Sequence, residues 1–158
     1  LGLKHLLNIN LIEKKPMNDR NKVFLDSNVV IYAYHNEEKD KQTIAKLLIN
    51  NNNSVISTQV LQEISNTLSR KFKAKYDVIQ ALLVECIQNC GEVYINTQQT
   101  VFKACSIADR YQFSFYDSLI VAAAIESGCN TIYSEDLQHN QITENTLVII
   151  NPFCIHKQ

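Results

Sequence analysis

The sequence has no tryptophan, one methionine, two prolines and three glycines in 158 residues. Without a Gly- or Pro-rich linker, and with no internal repeat, the chain reads as a single domain. A domain of this length buries roughly 70% of its unfolded surface and folds without a disulfide or metal staple. No stretch approaches the ~20 consecutive apolar residues that a membrane-spanning helix requires. Charge of either sign is not in excess: 15 Lys and Arg face 16 Asp and Glu, for a net charge of −1. A polyanionic partner would therefore have to meet a local basic patch or metal ions. The five cysteines contain no C-x-x-C pair, and their number is odd. Cys86 and Cys90 stand one helical turn apart, but no second pair of ligands accompanies them. They read as reduced, mostly buried thiols of a cytosolic protein, and not as a zinc site.

The first sixteen residues, LGLKHLLNINLIEKKP, also lack something. Their short apolar run is broken by Asn8 and Asn10 and is followed by no small-residue cleavage site, which argues against a signal peptide. Periodic sequence starts only after Met17. Residues 1–20 are expected to be a poorly ordered or non-native extension, and residues 21–155 the single folded domain.

What is present from Lys22 onward is an alternation of short apolar runs and amphipathic stretches. KVFLD ends in Asp26, and Ser27-Asn28 opens a helix through Val29, Val30, Ile31 and Tyr34. Residues 37–51 carry Ile44, Leu47 and Leu48 at helical spacing. SVIS at 54–57 is a strand, Thr58 is the expected cap of the next helix, and Val60, Leu61, Ile64 and Leu68 form its apolar face. Residues 76–90 are helical, 92–96 a third strand, and 97–111 a helix with Val101, Ala104, Cys105 and Ala108 inward. A short loop ends at Asp117, and an apolar helix from Leu119 to Ser127 follows. Thr131–Tyr133 is a fourth strand leading into Glu135-Asp136, and Leu147–Ile150 is the last. Near-continuous apolar strands separated by helices predict an α/β protein with a parallel sheet of four to five strands covered on both faces, a three-layer α/β/α sandwich.

In such a sheet, ligands bind beyond the carboxyl ends of the strands. Asp26 ends the first strand and Glu135-Asp136 follow the fourth. Glu63 lies one to two turns into the helix after the second strand, and Asp117 begins the helix leading to the fourth. Taken one at a time, these acids could equally be helix caps and strand ends. Together they are expected at one sheet edge, where two carboxylates ~4 Å apart repel by about 4 kcal/mol at an effective dielectric near 20. A hard divalent cation relieves that repulsion, and oxygen-only ligands favour Mg²⁺ or Mn²⁺. Such an ion suits phosphodiester hydrolysis.

FLDSNVVIYAY, QVLQEI around Glu63, FYDSLIVAAAIESGCNTIYSEDLQHNQ and the closing INPF resemble a PIN domain, and among PIN domains the VapC-type ribonuclease toxins of bacterial toxin–antitoxin pairs. The similarity runs from Val23 to Phe153. It implies a Mg²⁺- or Mn²⁺-dependent endoribonuclease that leaves a 5′-phosphate and a 3′-hydroxyl. It further implies Asp26, Glu63, Asp117 and Asp136 as the catalytic acids. Asp26 and Asp117 would ligate the metal directly, and Asp136 directly or through water. Glu63 would bind the metal or orient the attacking water, and Asn28 and Ser134 would support the first acid. The implied partners are RNA, a cognate antitoxin covering the acidic groove and a second copy of the chain, all in the cytoplasm. Asn140 and Tyr116 depart from the Gly and Trp frequent in the family.

The resemblance favours Asp136 over its neighbour Glu135. Arg70, Lys71, Lys73 and Lys75, the densest basic cluster, are candidates for RNA phosphate, with a solvated helix end as the plain alternative. His139 could touch RNA or metal or be a solvated loop residue. Tyr32 and Tyr34 could meet a base or an antitoxin or be packed. A haloacid-dehalogenase-like phosphatase needs D-x-D, where this chain has Asp26-Ser27-Asn28. A catalytically silent PIN-like binding module would gain nothing from four clustered acids. A PIN ribonuclease of RNA maturation or decay, working without an antitoxin, stays open.

Overall fold

Strand β1 (Lys22–Leu25) sets the frame. In the computed structural model, which describes residues 22–51 and 53–154, its Phe24 and Leu25 have no solvent exposure. Burial on both faces is what an uninterrupted apolar strand requires. β1 pairs in parallel with β2 (Asn53–Ser57) on one side and with β4 (Thr131–Tyr133) on the other. β2 continues to β3 (Glu92–Tyr94) and β4 to β6 (Leu147–Ile150), again parallel. A two-residue strand, β5 (Ile142–Thr143), closes the β6 edge antiparallel. The order is β3-β2-β1-β4-β6-β5.

The chain steps outward from β1 to β2 to β3, then returns across β1 to β4. Right-handed crossovers make this reversal change the face on which helices lie. The outward steps carry α1 (Ser27–Tyr34), α2 (Lys39–Asn51), α3 (Thr58–Arg70) and α4 (Tyr76–Asn89), and the return carries α5 (Gln98–Tyr111) and α6 (Phe115–Glu126). α1 packs on α2 and α3, α3 on α4, and α5 on α6. The result is the three-layer α/β/α sandwich, with five parallel strands and the short antiparallel β5 added at one edge. β5 escapes a sequence reading because two residues are too few to show alternation. The extension proposed for residues 1–20 lies outside the described residues.

Local departures from the sequence reading have physical causes. α6 starts at Phe115, four residues before Leu119, because Ser114 caps it. From Ser118 to Ala124 every residue is buried, so it lacks a polar face. Ser57, not Thr58, caps α3. On α5 the buried residues are Thr100, Ala104 and Ile107, whereas Val101 is 39% and Phe102 54% exposed, and Cys105 is exposed. Thr100 turns inward because its hydroxyl donates to Glu126 Oε2 at 2.7 Å, where Tyr94 also donates at 2.6 Å. A buried polar network thus fixes the helix phase against its apolar pattern. Three of the five cysteines, Cys86, Cys90 and Cys129, are buried. Among the described residues no helix is long and apolar enough to cross a membrane.

Ile132 sits on β4 between β1 and β6 with no exposure. Ile132→Ala is expected to cost about 3 kcal/mol, lowering Tm by roughly 6–12 °C, whereas Ile95→Ala, 69% exposed in the native chain, should leave it within about 2 °C. Equal shifts in the two thermal melts would contradict this core.

Candidate active site

The reversal of strand order falls between β1 and β4, and a crevice opens beyond their carboxyl ends. Leu25 is paired with Tyr133, so the next residues, Asp26 and Ser134, stand side by side. Asp26 is only 5% exposed. Its carboxylate accepts from the Ser27 backbone N–H at 2.7 Å, capping α1, and from the Ser134 hydroxyl at 2.6 Å. Ser134 is fully buried, and its oxygen accepts in turn from the N–H groups of Asp136 and Leu137 at 3.2 and 3.4 Å. One serine thus fixes both the first acid and the turn that presents the last.

Two further side chains tie neighbouring acids to Asp26. The Ser27 hydroxyl donates to Glu63 Oε2 at 2.6 Å and lies 3.4 Å from Asp26 Oδ1. The Asn28 amide donates to Asp136 Oδ2 at 3.0 Å and to Asp26 Oδ2 at 3.3 Å. Glu63 is also held by the Gln59 amide, 2.7 Å from Oε1, which reaches the Tyr116 carbonyl of α6 at 3.1 Å. Gln59 is 4% exposed and links α3 to the turn of α6 that carries Asp117. Asp117 itself accepts from the Ser114 hydroxyl at 2.7 Å, while its N–H donates back to that oxygen. Asp26, Glu63 and Asp136 are therefore joined through single bridging groups, and among the described residues Asp117 is linked to them through Tyr116 and Gln59.

Burial, chiefly, pushes the Asp26 carboxyl up to about 6; the charges of Glu63 and Asp136 push the same way, against the Ser134 and Ser27 hydrogen bonds. Among the described residues, no group of three or more His, Cys, Asp or Glu side chains is disposed to hold a metal ion as it stands. The reason is visible in the contacts: hydroxyl and amide donors sit between the carboxylates. The chemistry of the donor set nevertheless fits a hard divalent cation, because every candidate ligand is a carboxylate oxygen and the acids repel in its absence.

Glu135 is turned elsewhere. Its carboxylate meets Lys41 of α2 at 2.7 Å, and Lys41 also contacts Glu38 at 3.2 Å and the Tyr32 hydroxyl at 2.9 Å. Tyr32 packs edge-on against Phe153, whose ring centroid is 5.0 Å away. Tyr34 accepts from Asn89. His139 is tied down by accepting the Asn151 N–H at its Nδ1, 3.0 Å away. The basic cluster is divided by the bend between α3 and α4. Lys71 lines a pocket of about 250 Å³ together with Ser27, Asn28, Tyr32 and Asp136. Lys73 and Lys75 line a larger apolar groove of about 940 Å³, and Arg70 lines neither.

A model of the PIN domain family matches residues 23–145. The chain belongs to the PIN domain family. None of the curated proteins matches it in sequence. Among solved structures, this PIN domain is similar to the Mycobacterium tuberculosis toxin VapC20, described as cleaving the sarcin–ricin loop, at 19% identity and a TM-score of 0.58. That match covers 72% of this chain and 89% of the toxin. It is also similar to VapBC2 of Rickettsia felis, solved bound to a DNA fragment from its promoter, at 21% identity and a TM-score of 0.60, covering 81% of this chain and 98% of the other. At these identities the likeness concerns the fold.

Ser27, Gln59, Ser114 and Lys41 were not read from the sequence as part of this PIN domain's site. Two of them carry a signal: Gln59 is four residues before Glu63, on one helix face, and Ser114-x-x-Asp117 is a capping-box spacing. Lys41 carries none, because its meeting with Glu135 spans 94 residues.

The folded Asp26 carboxyl keeps a proton that the unfolded chain has released between about pH 4 and pH 6, from the ordinary 3.8 to about 6. Its stability cost therefore grows as pH rises through that window and is full above it. Two pKa units correspond to about 3 kcal/mol. Without divalent ions, Asp26→Asn should raise Tm at pH 7 by up to roughly 6–12 °C and bring no gain below about pH 4. A pH-independent difference in the melts would refute it.

Proposed function

We propose that the protein is a Mg²⁺- or Mn²⁺-dependent endoribonuclease, the toxin of a toxin–antitoxin pair. The observation that carries this reading is the bridging of Asp26 to both Glu63 and Asp136, at the strand reversal of a PIN domain. The two similar structures are a toxin described as cleaving the sarcin–ricin loop and VapBC2, which supports the biological assignment.

Asp26, Asp136 and Asp117 would hold the metal, with Glu63 completing the set. A bound divalent ion shields phosphate charge and lowers the pKa of water. The protein's own part is to hold the acids in place. Ser134 and the α1 N-terminus anchor Asp26, and Asn28 keeps Asp136 beside it. Gln59 and Ser27 each donate to one oxygen of Glu63 and so hold its carboxylate beside Asp26, where it would bind the metal or orient the attacking water. Lys41 neutralises Glu135 and also pairs with Glu38 at the pocket wall, leaving Asp136 as the pocket acid without a lysine partner among the described residues. The exposure of Asp136 suits a group that must meet substrate.

An antitoxin is supported by the groove between α1, α3 and α4, lined by Val30, Ile31, Ile64, Leu68 and Leu82. It shares Ile31, His35 and Phe72 with the acid pocket, so a chain seated there reaches the acids. The protein's burial of Cys86, Cys90 and Cys129 in the core suits the reducing cytoplasm. The exposed Val101 and Phe102 of α5 support a homodimer.

RNA incubated with the protein and Mn²⁺ should be cut to products bearing 5′-phosphates, and Asp26→Asn should lower the rate by at least about a hundredfold while remaining folded. Expression of the wild type, but not of this variant, should arrest bacterial growth. Undiminished cleavage by the variant would sink the assignment. Light scattering should return twice the monomer mass; a monomer removes the dimer from the proposal.

A further inference from the structure

Phe72 is a large ring left 38% exposed at the surface, directly beside the acids. It follows Lys71, the C-cap of α3, and the bend there turns both side chains toward the pocket that contains Asp136. We propose that this pocket is a subsite for one unpaired nucleobase of the RNA, stacked on Phe72, with an adjoining phosphate held by Lys71. The inference rests on the ribonuclease reading and adds to it the site that grips the nucleotide next to the cut.

The pocket has two kinds of wall. Ser27, Asn28 and Asp136 belong to the acid cluster, so anything bound here lies against the reacting phosphate. Facing them are Thr67, Lys71 and Phe72 from the end of α3, with His35 from the end of α1. At about 250 Å³ it falls below the ~300–1,000 Å³ of drug-sized ligand sites. One base fits, and a run of nucleotides does not.

Of the aromatic rings lining it, Tyr32 is spent elsewhere: Phe153 packs on it edge-on, and Lys41 lies over its face, 4.3 Å from the centroid. Phe72 meets the tilted His35 ring, 5.1 Å away at 57°, and the Lys71 ammonium, yet with no second aromatic packed edge-on among the described residues it stays 38% open to solvent. Stacking on such a ring tolerates any base, since each has a π-face. The charges are sorted in the same way. Glu38 is paired with Lys41, whereas Lys71 forms no ion pair with an acid among the described residues and lies 5.5 Å from the Phe72 centroid. A ring and an unneutralised ammonium side by side match a base and its own phosphate. Past Phe72 and His35 the surface becomes the larger, mainly apolar groove, with Lys73 and Lys75 at its wall.

The test is cleavage of single-stranded RNA by the whole chain in Mn²⁺. A random-sequence pool first locates a cut, and oligomers carrying that cut are then made with every base present or with one abasic residue at the position flanking it on either side. On the intact oligomer Phe72→Ala should raise KM about tenfold with kcat within twofold, and Phe72→Tyr should restore KM because the ring returns. Lys71→Gln should also raise KM and flatten its dependence on salt. One of the two abasic oligomers should lose as much as Phe72→Ala does and be indifferent to that substitution, because stack and base have one interaction to lose. Unchanged KM in Phe72→Ala, or equal losses on intact and both abasic oligomers, overturns the subsite while the wild type still cuts RNA. Failure of the wild type to cut the pool would instead remove the ribonuclease reading, and the subsite with it.

Discussion

A carboxylate 5% exposed between two parallel strands is expensive, and in this chain it is the group around which the crevice is built. Asp26 is kept there by donors that the fold cannot avoid presenting: the first N–H of α1 and the hydroxyl of Ser134, its neighbour across the β1–β4 pairing. The same two donors then organise everything else at this edge. The helix start fixes Ser27 and Asn28, which reach Glu63 and Asp136. The serine hydroxyl receives the N–H groups of Asp136 and Leu137 and so shapes the turn after β4. Burial keeps the Asp26 carboxyl near 6, and the charges beside it add to that strain. Strain of this kind is what a positively charged ligand would relieve.

The two helical layers contribute in different ways. α1 and α3 bring side chains to the acids directly, while α6 contributes through its first turn, where Ser114 fixes Asp117 and the Tyr116 carbonyl receives Gln59. Gln59 therefore connects the two sides of the sheet at the one place where a site needs both. Lys41, from α2, acts by subtraction: it occupies Glu135 and leaves Asp136 to the pocket. The bend between α3 and α4 separates a polar pocket beside the acids from an apolar groove, with Phe72 and His35 on the ridge between them. The two adjoining surfaces thus differ in chemistry.

Much of this was open to a reading of residues alone. Apolar runs marked all five parallel strands, and the rule that ligands gather at their carboxyl ends pointed to Asp26 and the Glu135-Asp136 pair before any contact was known, the PIN resemblance then favouring Asp136. FLDSN and FYDSLIVAAAIESGCNTIYSEDLQHN carried the PIN resemblance. What could not be read were contacts whose partners lie far apart in the chain. Glu135 and Asp136 are adjacent in sequence, and the contacts that send them apart, Lys41 on Glu135 from 94 residues away and Asn28 on Asp136 from 108, leave no local mark. The phase of α5 was misread because Thr100 is buried for a hydrogen bond to Glu126, which no apolar periodicity encodes.

Periodicity and strand composition, being local, were enough by themselves to determine a parallel α/β sandwich and the edge on which its acids collect. Which hydroxyl bridges which carboxylate, which of two neighbouring acids faces the pocket, and where the basic cluster divides were decided only by the tertiary structure. Those choices depend on side chains reaching across strands and helices over a few ångströms. Separation in sequence places no constraint on such distances until the chain has folded.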